Sequence, residues 1–204
     1  MDITFWLIRH GLKEASMGDV PLTPEGVLQA RAAAYALKDR PLAAVVTSPL
    51  RRARETAAFV ASASGREAQV DSRLRERANW GDVPGQTFGE FAAVWDRCTK
   101  DPDYVPPCGG DSVRLASARL GAALRHWAGL CAPGGEIAFV THGGLITDFL
   151  ACTFPEAELN AVCPNFADEQ SGLVPECSLT ELIAGTGGTF RLGVFADVRH
   201  LGRD

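Results

Sequence analysis

Two histidines directly follow apolar runs that have the composition of buried strands. The run ITFWLI at residues 3–8 leads into Arg9-His10-Gly11, and the run EIAFVT at residues 136–141 leads into His142-Gly143-Gly144. Unbroken apolar runs of this length are typical of strands covered on both faces by helices. Ligands of open α/β sheets bind at the carboxyl ends of the strands, so both imidazoles are candidates for catalysis.

Arginines accompany the two histidines. A third apolar run, AAVVT at residues 43–47, leads into Ser48-Pro49 and a helix with Arg52 near its start, while Arg9 immediately precedes His10. A planar guanidinium and a helix N-terminus both favour anions. A phosphoryl group spreads its charge over three oxygens, so it would explain why Arg9, Arg52, His10 and His142 converge. Taken singly, such a histidine is more often structural, and an Arg-rich helix face is usually solvated.

The remaining residues predict one α/β domain. The chain has 204 residues, and alternating strand and helix patterns predict three layers, with a mostly parallel central sheet flanked by helices. Predicted strands cover residues 3–8, 43–47, 68–71, 136–141, 178–183 and 189–195. Predicted helices cover residues 24–38, 48–62, 88–98 and 112–130, with another after residue 144. The irregular, Pro- and Gly-rich stretch 74–110 is predicted to form a cap over the site of a single domain spanning 1–204.

Composition and charge exclude several classes of protein. A net charge of −5 argues against a general nucleic-acid binder, and no apolar run is long enough for a membrane span. The N-terminus lacks a basic segment before its short apolar run, so we expect a cytoplasmic protein with reduced thiols. The six cysteines and four histidines show no zinc-ligand spacing, which predicts no metal site. The sequence leaves open whether the protein is a monomer or a homodimer.

Several motifs together resemble the histidine phosphatase superfamily, with its phosphoglycerate mutase-like fold. They occur in the expected order along nearly the whole chain: LIRHG at 7–11, D-x-PLT-x-x-G-x-x-QA at 19–30, S-x-L-x-R-A-x-x-TA at 48–57, L-x-E and WG within 74–81, THGG at 141–144 and HL at 200–201. The third motif selects Arg52 over its neighbouring arginines.

The resemblance implies a mechanism for each motif residue. His10 would attack phosphorus and form a phosphohistidine, while Arg9, Arg52 and His142 would hold the non-bridging oxygens. The two arginines would keep His10 unprotonated. Glu76 would protonate the leaving alkoxide and then activate water. The activity implied is that of a metal-independent phosphomonoesterase, a histidine acid phosphatase-type phosphoric monoester hydrolase, without a cofactor and acting on a small phosphorylated molecule.

Other positions depart from the family pattern and concern the substrate. Leu12-Lys13-Glu14 stands where many members have an acidic and a hydroxyl residue that make a polar contact with the substrate. Ser16 or Lys13 would replace this contact, and Gly143 would also bind the substrate. Arg75 and Arg77 are predicted to lie on a solvated face opposite Glu76, or else to extend the anion site toward a second phosphate or a carboxylate. The aromatic residues of the 74–110 stretch are expected to pack in the core or at its rim, namely Trp80, Phe88 and Trp95.

Two other functions remain open at this point. A phosphoglycerate mutase-type phosphotransferase would return the phosphoryl group to a bound product, although this chain is short compared with the dimeric sugar-phosphate mutases of the family. A non-catalytic phosphate-binding module would not need the complete set of five catalytic residues that the motifs provide.

Overall fold

The computed structural model describes residues 2–107, 110–170, 172–185 and 188–202. Residues 108–109, within the stretch 74–110, and residues 186–187, before the last predicted strand, lie outside these ranges. Within them, no helix combines the length and apolar character needed to cross a membrane.

Six strands in the described ranges form a single sheet. They are β1 (Ile3–Arg9), β2 (Leu42–Thr47), β3 (Ala68–Val70), β4 (Glu136–Thr141), β5 (Leu179–Ala184) and β6 (Phe190–Leu192). Their order across the sheet is β3-β2-β4-β1-β5-β6. Neighbours from β3 to β1 are parallel, whereas β5 pairs antiparallel with β1 and with β6. The predicted, mostly parallel sheet is therefore confirmed.

Helices cover both faces of this sheet. They are α1 (Pro24–Leu37), α2 (Arg51–Ala63), α3 (Phe88–Lys100), α4 (Val113–Leu130), α5 (Gly143–Thr153), α6 (Glu156–Val162) and α7 (Phe166–Glu169). Successive side chains of β1 point to opposite faces. Phe5 and Leu7 pack in the cluster that contains α4 and α5, and Trp6 and Ile8 pack in the cluster that contains α1 and α2. The chain thus forms the three-layer α/β fold that was predicted.

Hydroxyl side chains cap α1 and α4, whereas α2 begins later than predicted. The Thr23 hydroxyl accepts the Gly26 N–H at the start of α1, and the Ser112 hydroxyl accepts the Leu115 N–H at the start of α4. The helix predicted from Ser48 begins only at Arg51, without a side-chain cap. Ser48 instead makes a contact in the site described below. Helices α6 and α7 were not predicted.

The stretch 74–110 contains α3 and lines one side of a large cavity at the carboxyl edge of the sheet. Its division from the rest of the domain as a cap stays a prediction. Because β1 and β4 are parallel neighbours in which Arg9 pairs with Thr141, the residues that follow each strand emerge side by side. The register of the sheet therefore places His10 next to His142.

Candidate active site

His10 is fixed in one tautomer by its backbone environment. Its Nδ1 lies 2.8 Å from the carbonyl oxygen of Gly11, which can only accept, so Nδ1 carries the proton. Its Nε2 accepts a hydrogen bond from Nε of Arg52 at 3.0 Å. Burial, followed by the charges of Arg52 and Arg9, holds the pKa of His10 well below its usual range. The lone pair on Nε2 of His10 can therefore act as a nucleophile at neutral pH.

Arg52 connects both histidines from the first turn of α2. Besides His10, its guanidinium donates from Nη1 to Oδ1 of Asn79 at 3.1 Å and from Nη2 to Nδ1 of His142 at 3.3 Å. The residue is buried. Asn79 was not identified from the sequence, because nothing in its immediate neighbourhood distinguishes it from a loop asparagine.

His142 lies behind Arg52 and is fully buried. Since its Nδ1 accepts from the guanidinium, its Nε2 carries the proton and donates to the hydroxyl of Ser48 at 2.7 Å. Burial, with Arg52 as the next cause, lowers the pKa of His142 well below the usual value. The two imidazole rings are 5.2 Å apart between centroids. Ser48 contributes to the site through this hydrogen bond, and not by capping α2.

Arg9 ends β1 at the edge of the cavity. Its Nη1 donates to the carbonyl of Val174 at 2.6 Å, and its Nη2 forms an ion pair with Oε1 of Glu176 at 2.5 Å. The guanidinium also passes close to Gly143, where an added Cβ would lie 3.2 Å from Cδ of Arg9. Arg9 and Gly143 both line the cavity.

Glu76 is buried at the cavity wall and held by two backbone donors. The N–H of Arg77 donates to Oε1 at 3.0 Å, and the N–H of Gly144 at the start of α5 donates to Oε2 at 3.1 Å. A Cβ at Gly144 would lie 2.5 Å from the ring of Trp95 and 2.9 Å from Oε1 of Glu76. Glycine is therefore needed at position 144 for the carboxylate and the indole to approach the backbone.

The cavity has a volume of about 690 Å³ and gathers most of the predicted site residues. Arg9, His10, Arg52, Glu76 and Gly143 line it, together with Lys13, which was the alternative to Ser16. Ser16 is exposed and does not contribute to the lining. Trp80, Phe88 and Trp95 line the cavity as well, joined by Phe91, so of the two expected places they occupy the rim.

Neither interpretation of Arg75 and Arg77 matches the structure fully. Arg77 is almost completely buried and pairs with Asp148 of α5 at 2.6 Å, so it is not on a solvated face. Arg75 pairs with Asp82 at 2.6 Å and is only partly exposed. Neither guanidinium lines the cavity. The prediction assumed strand alternation, but residues 75–77 follow a 3-10 turn at Ser72–Leu74 and form no strand.

No group of three or more His, Cys, Asp and Glu side chains in the described part of the chain could hold a metal ion. The described cysteines are free thiols. His126 is exposed on α4, and His200 forms a hydrogen bond to the carbonyl oxygen of Cys177 at 2.9 Å, as expected for a structural residue.

An unprotonated imidazole held beside two guanidiniums and a carboxylate, at the carboxyl edge of a parallel sheet, can accept and release a phosphoryl group. A fold and a site of this kind are typical of phosphoryl-transfer enzymes.

The chain belongs to the histidine phosphatase superfamily (branch 1), whose family model matches residues 5–182. It is 32% identical over 211 residues to the glucosyl-3-phosphoglycerate phosphatase of Mycolicibacterium vanbaalenii, covering 95% of this chain and 89% of that protein. It is 34% identical over 146 residues to phosphoglycerate mutase-like protein 4 of Arabidopsis thaliana, covering 68% and 63%.

The solved structures agree with this assignment. The native structure of a mycobacterial glucosyl-3-phosphoglycerate phosphatase has a TM-score of 0.76 and 26% identity, over 97% of this chain and 100% of that chain. The sequence-based predictions of the superfamily, the phosphoglycerate mutase-like fold and a phosphoric monoester hydrolase are confirmed. The protein is a phosphomonoesterase of this superfamily.

Proposed function

We propose that the protein hydrolyses a small phosphate monoester without a metal ion, through a phosphohistidine formed on Nε2 of His10. The observation that carries this proposal is the tautomer of His10. Its proton is held on Nδ1 by the Gly11 carbonyl, and its Nε2 lies against the guanidinium of Arg52. A neutral, oriented imidazole next to cationic groups is arranged to attack a phosphorus atom that carries negative oxygens.

The first half-reaction transfers the phosphoryl group to His10. Nε2 forms the P–N bond while the P–O bond to the leaving group breaks, and the leaving oxygen takes its proton from Glu76. Arg9 and Arg52 stabilise the charge on the non-bridging oxygens, which is the role that metal ions have in kinases. His142 is fully buried and its Nδ1 accepts a hydrogen bond from Arg52, which supports a role in orienting this guanidinium; contact with a non-bridging oxygen is the alternative role.

The second half-reaction releases phosphate. Glu76, now ionised, takes a proton from water as the water oxygen attacks phosphorus, the P–N bond breaks and the electron pair returns to Nε2 of His10. Glu76 is held by the N–H groups of Arg77 and Gly144 and borders the cavity, which supports both roles.

The decisive experiment combines His10→Ala with a search for the intermediate. We expect the variant to lose about a thousandfold or more in kcat/KM for an aryl phosphate, whereas His126→Ala on the exposed face of α4 retains activity. Wild-type protein quenched in alkaline detergent should carry an acid-labile phosphoryl group that the His10→Ala variant lacks. EDTA should leave the wild-type rate unchanged. Near-normal activity of the His10→Ala variant, or inactivation by EDTA, would contradict the mechanism.

The substrate and the fate of the phosphoryl group define two further arms of this experiment. Glucosyl-3-phosphoglycerate belongs in the substrate panel because a relative that is 32% identical is named for it. The mutase alternative is supported by the name of the plant relative. Release of inorganic phosphate at the same rate with and without an added phosphoglycerate acceptor supports hydrolysis, and transfer to the acceptor supports the mutase.

A further inference from the structure

Four aromatic side chains form a continuous surface along one side of the cavity, which we call the aromatic wall. Its members are Trp80, Phe88, Phe91 and Trp95. The ring centroids of successive members lie 5.3, 6.4 and 5.9 Å apart. Phe88 leaves 61% of its surface exposed, although it lines a cavity. An apolar ring exposed in a pocket next to the reacting groups is a surface on which a ligand can be buried.

Both ends of the aromatic wall are held in position. The indole N–H of Trp80 donates to the carbonyl of Gln86 at 3.0 Å. The guanidinium of Arg77 stacks on one face of Trp95, with Cζ 3.8 Å from the ring centroid. The ring of Trp95 also packs against Gly144, whose N–H binds Glu76. The wall is therefore preorganised, and it begins beside the group that we propose as the proton donor for the leaving oxygen.

The charges around the wall disfavour a second anionic group on the substrate. Apart from Arg9 and Arg52, the described lining contains one cationic side chain, Lys13, and it also contains the acidic Asp96 and Glu176. Glu176 already forms an ion pair with Arg9. The remaining arginines near the site are paired elsewhere and do not reach the cavity: Arg75 with Asp82 and Arg77 with Asp148.

We infer that the substrate is a phosphate monoester whose alcohol portion carries an uncharged ring, which packs on the aromatic wall. Esters whose alcohol portion carries a carboxylate or a second phosphate should be poorer substrates. The inference rests on the proposed function, since it assigns the leaving group to the side of the cavity where Glu76 lies. Phosphoryl binding by Arg9 and Arg52 is common to every substrate, so the wall determines the preference among leaving groups.

The test compares three esters of primary alcohols: ethyl phosphate, 2-phenylethyl phosphate and 3-phosphoglycerate. We expect wild-type kcat/KM to be about tenfold or more higher for 2-phenylethyl phosphate than for ethyl phosphate, because the ring gains an aromatic contact and apolar burial. Phe88→Ala should reduce this ratio about fivefold, chiefly through the KM for 2-phenylethyl phosphate. Because Phe88 is largely exposed, the substitution leaves the core intact.

A matched control and two contrary results make the test decisive. Tyr35→Ala removes a similarly exposed aromatic ring from α1, away from the cavity lining, and should not change the ratio. A wild-type ratio near one, or an unchanged ratio in Phe88→Ala, would overturn the inference. A higher kcat/KM for 3-phosphoglycerate than for 2-phenylethyl phosphate, lost in the Lys13→Ala variant, would also overturn the inference. Failure of the wild type to hydrolyse even an aryl phosphate would instead refute the proposed function.

Discussion

Asp148 provides a test of how the structure balances burial against charge near the site. Its side chain is fully buried, Oδ1 lies 2.6 Å from Nη1 of Arg77, and Oδ2 has no hydrogen-bond partner. Burial, the largest effect, raises the pKa of Asp148 to about 8, against the opposing effect of Arg77 and with a smaller contribution from Glu76. We therefore expect Asp148 to be neutral in the folded protein at pH 7 and ionised in the unfolded chain.

The sign of the pH dependence follows from these two states. An acid whose folded pKa is raised contributes stability that is fully present below the unfolded pKa of 3.8 and is lost as the pH rises toward 8. One proton taken up on folding changes the free energy of unfolding by about 1.4 kcal/mol per pH unit. Asp148→Asn keeps the shape of the neutral acid but cannot ionise. The difference in free energy of unfolding, variant minus wild type, should therefore rise by about 2–3 kcal/mol as the pH increases from 5 to 7.

Urea unfolding of both proteins at pH 5, 6, 7 and 8 measures this difference directly. The buried His10 and His142 also titrate, but they are present in both proteins and cancel in the comparison. Asp103→Asn, at an exposed ion pair with Arg114, is the matched control and should show a difference that does not vary with pH. A constant loss of about 3–5 kcal/mol in Asp148→Asn at every pH would show an ionised buried pair and refute the reasoning.

Two further predictions concern the proton donor and its support. Glu76→Gln should lower kcat/KM for alkyl phosphates by about 10²–10⁴-fold and for aryl phosphates much less, because kcat/KM reports the first half-reaction, in which Glu76 protonates the leaving oxygen; an equal loss of kcat/KM throughout a series of leaving groups would show that Glu76 is not the proton donor. Gly144→Ala should reduce kcat about tenfold or more, because the new methyl group displaces Trp95 or Glu76. Inorganic phosphate should still inhibit this variant competitively. An unchanged kcat would contradict the close approach of Trp95 and Glu76 to the backbone of Gly144.

The half of the site that binds the phosphoryl group could be predicted from the sequence because it depends on strand ends. Apolar runs located β1 and β4 to within one residue, and parallel pairing of neighbouring strands brings the residues after them together. The pairing of Arg9 with Thr141 alone explains why His10 and His142 become neighbours. Local signals of this kind, apolar periodicity followed by a polar residue, carry enough information to place both side chains.

The other half depends on contacts that no local pattern encodes. Arg77 and Asp148 are 71 residues apart in sequence and meet only after α5 has packed on the sheet. Ser48 has the sequence context of a helix cap, but its hydroxyl lies 2.7 Å from Nε2 of His142, and α2 starts three residues later. In both cases tertiary packing overrides a reasonable local rule.

The proton donor and the aromatic wall share their supports, and this has a consequence for specificity. The backbone N–H of Arg77 donates to Glu76, and the guanidinium of Arg77 stacks on Trp95. The backbone N–H of Gly144 also donates to Glu76, and the absence of a Cβ at this glycine leaves room for the ring of Trp95. His10 follows β1 and is held by the Gly11 carbonyl and by Arg52 of α2, and among the described residues the stretch 74–110 reaches this pair only through the hydrogen bond from Arg52 to Asn79. A change in this stretch that keeps Asn79 can therefore alter which leaving group is bound and protonated without moving the nucleophile. Selection of the substrate and protonation of its leaving oxygen should thus change together, whereas the position of the nucleophile His10 is preserved.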